Sequence, residues 1–249
     1  MTLFRDAAHY SKNSSVQQSE SNYLINKIQL EFMGKKLLDV GSGDGKISNL
    51  MSNMGAKVSG IDASSDMVKF AINKYPNCQF YKENAEELFK HQFDYQIITS
   101  FNCLHWVSEI GKTLHGIRAR LVNDGIFLGL IYPRCTDLWD AADWCESLPL
   151  YVELSKSFTN PYHFHTKEGM RSLLSKSGFH KITLWEEERQ TRFKTQQEFI
   201  NYIIGWLPHY GHYGQSFIKP WFNKYIELSQ QQSSKEVIMS YQTIFFTAS

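Results

Sequence analysis

The chain has 249 residues, of which 42% are hydrophobic and 20% are charged, and its formal net charge is +1. This composition excludes a disordered or collagen-like chain and predicts one or two globular domains. The near-neutral charge disfavours a nucleic-acid-binding protein, and the longest apolar run, residues 125–132, is too short to span a membrane. The four cysteines form no CxxC pair, so we expect reduced thiols in a cytoplasmic protein.

Hydrophobic spacing predicts an amphipathic helix after a polar N-terminal loop. Apolar side chains recur on one helical face between residues 16 and 32, whereas residues 1–15 are polar and lack the apolar core of a secretory signal. Strands and helices then alternate: predicted strands cover 35–40, 56–61, 78–81, 93–100 and 125–132, and predicted helices cover 46–54, 63–74 and 107–121. This alternation predicts a parallel sheet with helices on both faces.

After Pro133 the pattern becomes mostly helical and denser in aromatic residues. Helices are predicted near 135–156, 167–177, 195–206 and 215–230, and strands near 180–186 and 237–247. The rings suit either a second core layer or a cap that lines a ligand pocket. We therefore expect one α/β domain with a Rossmann-like, seven-stranded, mostly parallel sheet and a helical cap. Residues 1–34 would form an N-terminal lid or helix, 35–132 the ligand-binding core, and 133–249 the cap interleaved with the last two strands.

The strongest motif lies at the end of the first predicted strand, where residues 37–45 read LLDVGSGDG. The glycines let the backbone approach a ligand, and the helix N-terminus that follows presents free N–H groups. Asp62 ends the next predicted strand and so lies beside the same crevice, where a carboxylate can accept both ribose hydroxyl protons. A dinucleotide fingerprint needs a glycine where Lys46 stands, and this disfavours a dehydrogenase.

The spacing of these glycines, with an acidic residue two positions before the first, resembles motif I of class I S-adenosylmethionine-dependent methyltransferases. Later segments follow the order of that family: ENAE at 83–86, FD at 93–94, SFNCLHWV at 100–107 and LVNDG at 121–125. The last of these departs from the family pattern, because Asp124 replaces a glycine. The resemblance covers roughly residues 35–132 and implies S-adenosyl-L-methionine as the cofactor and S-adenosyl-L-homocysteine as the product.

Two further stretches are similar to particular branches of this family. The N-terminal AAHY at 7–10, followed by Gln17 and Ser19, is similar to malonyl-carrier-protein O-methyltransferases of biotin synthesis. The run at 101–107 is similar to juvenile-hormone-acid and trans-aconitate methyltransferases. All three branches methylate carboxylates, so the resemblance implies a carboxylate acceptor.

The resemblance also implies which residues contact the cofactor. Asp39 would hold the amino group of its methionine part, Asp62 the ribose, and Asn84 the adenine, whose amino group and ring nitrogen suit an amide. The full implied set is Asp39, Gly41, Ser42, Gly43, Gly45, Asp62, Ala63, Asn84, Ala85, Glu86, Ser100 and Phe101.

A carboxylate with a pKa of about 4 is already ionised at pH 7, so methyl transfer to it needs alignment rather than a base. His105 is accordingly expected to position the substrate or to form a pocket wall, and Tyr10 to act from an N-terminal lid. An acid also suits a guanidinium partner. The candidate substrate contacts are Gln17, Trp106, Arg134 and Arg192.

The leading hypothesis is O-methylation of a carboxylate on a small acid or on an acyl-carrier thioester. The alternatives are methylation of another small molecule at O, N or C, and a non-catalytic protein that binds S-adenosylmethionine. We expect no metal, because the histidines at 163–165 and 209–212 have no cysteine or acid at ligand spacing.

Overall fold

The computed structural model describes residues 6–90, 93–231 and 235–249. Its strands form a single sheet in the order β3-β2-β1-β4-β5-β7-β6. They are β1 (Lys36–Val40), β2 (Lys57–Asp62), β3 (Gln79–Lys82), β4 (Tyr95–Phe101), β5 (Leu121–Ile131), β6 (Ile182–Phe193) and β7 (Val237–Ala248). β7 pairs antiparallel with β5 and with β6, and the other described strand pairs are parallel. The predicted seven-stranded, mostly parallel sheet is confirmed.

The helices fill both faces of the sheet and one of its ends. In chain order they are α1 (Ala7–Asn13), α2 (Ser15–Ile28), α3 (Lys46–Asn53), α4 (Ser65–Lys74), α5 (Ile110–Arg120), α6 (Thr136–Glu146), α7 (Val152–Ser155), α8 (Lys167–Lys176), α9 (Gln196–Ile204), α10 (Pro208–Tyr213) and α11 (Ile218–Leu228). Short 3₁₀ turns lie at Ala85–Lys90, Leu104–Trp106 and Gln215–Phe217. No helix in the described ranges is both long and apolar enough to cross a membrane.

Local chemistry accounts for where several helices begin. The Ser64 hydroxyl accepts the Met67 N–H at the start of α4, and Thr166 and Thr195 act in the same way for α8 and α9. Pro208 stands in the first turn of α10, where its missing N–H has no helical partner to lose. These caps set the helix starts independently of the sheet.

The prediction of a loop over residues 1–15 was wrong for the described residues 7–13, because Ala7–Asn13 is helical. The Asp6 carboxylate accepts the His9 N–H at 2.8 Å and caps this helix. Residues 1–5 lie outside the described residues. The helix expected over 135–156 divides into α6 and α7 around Pro149, which cannot continue a helical hydrogen-bond ladder.

Of the last two strands, β6 is longer than the sequence predicts. The strand predicted near 180–186 extends to Phe193, because β7 pairs with it along its whole length, from Ile182 opposite Ala248 to Phe193 opposite Val237. Twelve-residue antiparallel strands satisfy each other's backbone groups, so the polar run at 186–192 remains extended.

The cap forms its own aromatic core. Trp221 is fully buried, stacks on Tyr225, and donates its indole N–H to the Leu138 carbonyl at 3.0 Å. The same cluster takes in side chains of α6, α9 and α10 and the ends of β6 and β7. Within the region 133–249, α8 does not join this cap cluster, because it packs with α5 against the sheet through Met170 and Leu174.

Candidate active site

A glycine loop follows β1 and turns sharply into α3. Gly41 and Gly43 have positive φ angles of 76° and 54°, a region that side chains with a Cβ rarely adopt. A Cβ on Gly41 would also lie 2.3 Å from the sulfur of Cys103. The N–H groups of Gly41 and Ser42 both donate to the Ile61 carbonyl, which ties the loop to the end of β2.

Asp62, at the end of β2, holds this loop from the other side. One carboxylate oxygen accepts the Gly43 N–H at 3.0 Å and the other accepts the Ser64 N–H at 2.8 Å. Burial raises the pKa of Asp62, and the two backbone hydrogen bonds oppose that rise. Asp62 and its neighbour Ala63 both line the adjoining crevice.

Asp39 lies beneath the loop, and each of its carboxylate oxygens accepts one hydrogen bond from the protein. Its carboxylate oxygens accept the hydroxyls of Ser48 at 2.5 Å and of Thr99 at 2.8 Å. Burial raises its pKa to about 6, against the effect of both hydroxyls. The carboxylate thus connects β1, β4 and α3, and it also borders the smaller cavity described below.

A crevice of about 1210 Å³ runs along the carboxyl ends of the parallel strands. Asn84 borders it and accepts the Glu86 N–H at 3.0 Å, and Glu86 in turn accepts the Glu109 N–H at 3.0 Å. The crevice brings together these predicted residues: Gly41, Gly43, Asp62, Ala63, Asn84, Ala85, Glu86 and Phe101. Ser100 supports the crevice from below, where its hydroxyl donates to the Val40 carbonyl, and Gly45 is the N-cap residue that precedes α3.

The crevice continues past the glycine loop into a smaller cavity of about 410 Å³. Its wall holds four buried oxygens that have no hydrogen-bond partner in the described part of the chain: Gln17 Oε1, Ser42 Oγ, Asp44 Oδ2 and Asn102 Oδ1. Lys46 borders the same cavity, donates to the Ser11 carbonyl at 2.7 Å, and lies 3.7 Å from Asp44. Unpaired acceptors beside one cation suit a zwitterionic ligand.

An aromatic chamber of about 570 Å³ lies between the cap and the sheet edge. Its wall consists of Tyr10, Gln17, Asn102, His105, Trp106, Tyr132, Pro133, Cys135, Leu138, Trp139, Tyr162, Tyr202, Trp206, Met239 and Tyr241. His105 is buried and stacks on Tyr162, with ring centroids 4.5 Å apart, and burial lowers its pKa to about 3. The imidazole is therefore neutral at physiological pH.

Two residues border all three cavities and so mark where they meet. They are Tyr10 from α1 and Asn102 from the turn after β4. Gln17 borders the chamber and the smaller cavity, and Trp106 borders the chamber and the crevice. Four side chains from α1, α2 and the segment after β4 thus surround one junction.

Asn102 was missed by the sequence analysis, which ended the cofactor set at Phe101. It has a left-handed φ of 59°, a conformation that asparagine tolerates better than most residues. Its buried Oδ1 has no partner in the described residues. The available signal was an asparagine immediately after a buried parallel strand, where sheets of this type bind ligands.

The structure does not bring the two predicted arginines to the chamber. Arg134 forms ion pairs with Asp140 and Asp143 on α6, at 2.5 and 2.7 Å. Arg192 is 63% exposed and pairs with Glu236. Acidic side chains close in space thus occupy both guanidinium groups.

The cap histidines pack among aromatic rings. His209 is buried, with its ring 4.7 Å from that of Phe158 and 5.4 Å from that of Phe217. Within the described ranges, no three or more His, Cys, Asp or Glu side chains converge as a metal site.

Residues 37–125 match a family profile described as a methyltransferase domain. A protein of invertebrate iridescent virus 6 that is named "putative methyltransferase 235L" is 35% identical over 112 residues, which cover 43% of this chain and 41% of the viral protein. Juvenile hormone acid O-methyltransferase of Bombyx mori is 25% identical over 197 residues, covering 70% of this chain and 68% of that protein. The match to the viral protein thus spans less than half of its length.

Solved structures share the fold. The YcgJ protein of Bacillus subtilis superposes with a TM-score of 0.63 at 14% identity, over 93% of this chain and 97% of that one. Magnesium protoporphyrin IX methyltransferase of Synechocystis, solved with bound S-adenosylhomocysteine, gives 0.55 at 14% identity, over 98% of this chain and 84% of that one. The domain match assigns a methyltransferase domain to residues 37–125, and the solved structures show that the chain shares their Rossmann-like fold.

Proposed function

We propose that the protein transfers the methyl group of S-adenosylmethionine to a carboxylate oxygen of a small, largely apolar acid. One observation carries the proposal: burial favours the neutral form of every titratable side chain that the described residues contribute to the chamber wall. Burial raises the pKa of the tyrosines and of Cys135, whose value reaches about 11, and lowers that of His105 to about 3. The tyrosines are Tyr10, Tyr132, Tyr162, Tyr202 and Tyr241.

A chamber whose described histidine is only a weak base suits an acceptor that arrives as a nucleophile. A carboxylic acid, with a pKa of about 4, is already ionised, whereas a phenol, with a pKa of about 10, requires removal of its proton. We therefore assign His105 to the wall that positions the acid. The silkworm relative, which is named for the methylation of an acid, supports the same acceptor class.

The acid would be held by neutral donors. No Lys or Arg in the described part of the chain lines the chamber, so hydrogen bonds rather than an ion pair would orient the carboxylate. The amides of Gln17 and Asn102 and the hydroxyl of Tyr10 lie at the junction and can supply them. The aromatic remainder of the wall would bury an apolar body, which favours a free acid over the acyl-carrier thioester.

The residues present fit the cofactor. The oxygens of Gln17, Ser42, Asp44 and Asn102, which have no hydrogen-bond partner in the described residues, would surround its ammonium group, and Lys46 would face its carboxylate. We assign the ammonium to this set because these four oxygens have no hydrogen-bond partner in the described residues, whereas each oxygen of Asp39 already accepts one hydroxyl proton. Asp62 would bind the ribose and Asn84 the adenine.

When bound, the cofactor supplies an electrophilic methyl group on a sulfonium centre. The chain's own contribution is alignment, because the acceptor oxygen, the methyl carbon and the sulfur must lie close together and in line. Tyr10 and Asn102 border both the chamber and the crevice, so they lie where the acceptor and the methyl group would meet. Helix α1 covers the junction and would keep water out during transfer.

Transfer from methyl-labelled S-adenosylmethionine to a panel of acids tests the proposal. The panel contains fatty acids, aconitate, malonyl-coenzyme A and malonyl-carrier protein, and mild base releases methyl esters as volatile methanol. We expect base-labile label on apolar free acids. Base-stable label would show transfer to another kind of atom, and bound cofactor without any label would indicate a binding protein.

A further inference from the structure

We infer that the acid carries a second polar group, remote from its carboxylate, that accepts hydrogen bonds. A ketone, ether or hydroxyl oxygen has this chemistry. The inference rests on the proposed function, which makes the aromatic chamber the binding site of the acid.

The chamber wall contains buried donors that nothing in the described chain satisfies. Two of them are the indole N–H of Trp206 and the hydroxyl of Tyr132, and the wall also holds Nδ1 of His105, which donates or accepts according to its tautomer. An indole nitrogen can only donate, so Trp206 requires an acceptor. Buried donors without partners are rare in native proteins, because each one loses its hydrogen bond to water.

Two other hydroxyls of the same wall, those of Tyr241 and Tyr162, are paired within the protein. The Tyr241 hydroxyl donates to the buried Glu20 carboxylate at 2.9 Å, and the Tyr162 hydroxyl donates to the Tyr132 carbonyl at 3.2 Å. The fold thus provides protein partners for some polar groups in this wall. Trp206 and Tyr132 retain donors without a partner in the described residues, although at Tyr132 a phenylalanine would fill similar space without a polar atom.

Both donors lie away from the site of transfer. Trp206 and Tyr132 border the chamber but neither of the two cavities next to the glycine loop. The junction with those cavities lies at Tyr10 and Asn102. An acid whose carboxylate reaches the junction therefore extends its other end towards the two donors.

The wall between the two donors is a continuous aromatic surface. Ring centroids along it are 5.9 Å apart for Tyr132 and His105, 4.5 Å for His105 and Tyr162, 4.9 Å for Tyr162 and Trp139, and 6.0 Å for Trp139 and Trp206. Such a surface favours an apolar chain or ring between the two polar ends. A plain fatty acid would fill it and leave both donors unpaired.

Calorimetric binding of matched ligands to the protein saturated with S-adenosylhomocysteine tests the inference. The ligands are decanoic acid and a series of oxodecanoic acids in which the ketone moves along the chain. We expect at least one oxo acid to bind about tenfold or more tightly than decanoic acid, because it satisfies a donor that the plain acid buries. Methyl transfer to the same acids is measured in parallel.

Two variants each remove one donor. Tyr132→Phe and Trp206→Phe should each reduce the ratio of the affinity for an oxo acid to the affinity for decanoic acid. One of the two variants should bring this ratio close to one, and both should retain the affinity for decanoic acid. Tyr225→Phe is the matched control, because its hydroxyl is also inside the cap but donates to the Ile238 carbonyl at 3.3 Å, outside the chamber. It should leave the preference unchanged.

The outcomes separate the two proposals. Equal binding of all the acids, or a preference that survives both variants, would overturn the inference. A preference that depends on the variants, without methyl transfer, would support the inference and overturn the carboxylate acceptor. Methyl transfer without a preference would support the carboxylate acceptor and overturn the inference of a second polar group. Failure of every acid to bind would overturn both proposals.

Discussion

Individual acidic residues at this site form hydrogen bonds within the protein and also border the cavities. Asp62 accepts two backbone N–H groups, and Asp39 accepts two hydroxyls beneath the loop. The glycines and Asp62 could be predicted from the sequence, because a strand, a tight turn and a helix start are encoded by adjacent residues. Arg134 could not be placed in this way, because its acidic partners on α6 decide where its side chain lies.

Replacing Asp62 should weaken cofactor binding. We expect Asp62→Ala to reduce affinity for S-adenosylhomocysteine by roughly 1–3 kcal/mol, because it removes charge-assisted hydrogen bonds and the support of the Gly43 N–H. Asp62→Asn should retain part of the affinity, since one amide oxygen can still accept. Calorimetry measures both, with the exposed Asp66→Asn as the control; unchanged affinity in Asp62→Ala would remove Asp62 from the site.

Among the elements, α1 shows most clearly what tertiary contacts add. A seven-residue helix is not stable by itself in water, and its sequence is polar. Two contacts fix it over the junction: His9 Nε2 lies 2.9 Å from the Asn201 carbonyl, and the Lys46 ammonium donates to the Ser11 carbonyl. These partners belong to α9 and α3, which are distant in the sequence. The local sequence of α1 contains no sign of them and therefore predicts a loop.

Removing α1 should impair catalysis more than stability. We expect deletion of residues 1–13 to lower kcat/KM by about tenfold or more, because Tyr10 and the cover over the junction are lost. The melting temperature should fall by only about a few degrees, since the main clusters of the core are built elsewhere. Lys12→Ala, on the exposed face of the same helix, should change neither quantity. A large fall in melting temperature with unchanged turnover per folded molecule would contradict a lid.

For the whole molecule, the cap and the sheet have separate cores that meet at the chamber. The cap cluster joins α6 to α11, about 80 residues later in the chain, through the Trp221 hydrogen bond to Leu138. The chamber exists only because this cluster covers the carboxyl edge of the sheet. Its lining residues come from both halves of the chain, so spacing along the sequence did not reveal it.

The stability of the molecule should depend on pH through its buried histidines. Burial lowers the pKa values of His105 and His209 to about 3. Below a pH of about 6.5 the unfolded chain therefore binds protons that the folded molecule does not, and the free energy of unfolding falls as the pH decreases towards 3. Each histidine contributes up to about 1.4 kcal/mol per pH unit in that window.

Urea unfolding of His105→Phe at pH values between about 4 and 6 measures this contribution. As the pH falls, the free energy of unfolding of the variant should decrease less steeply than that of the wild-type protein. The difference in slope should be up to about 1.4 kcal/mol per pH unit. His115→Gln is the matched control, because this exposed imidazole is hydrated in both states. Parallel pH profiles for the wild type and His105→Phe would show that burial does not keep His105 neutral.

The sequence by itself determined the strand and helix alternation, the glycine loop after β1 and Asp62 beside it. It could do so because these features depend on periodicity, backbone freedom and residues next to one another. The tertiary structure decided that Asn102 and Gln17 meet at the junction, that the arginines pair with acids, and that α1 is a helix. It also decided that the aromatic residues of the second half surround a chamber. These outcomes depend on contacts between distant segments, whose free energy is realised only when the whole chain has packed.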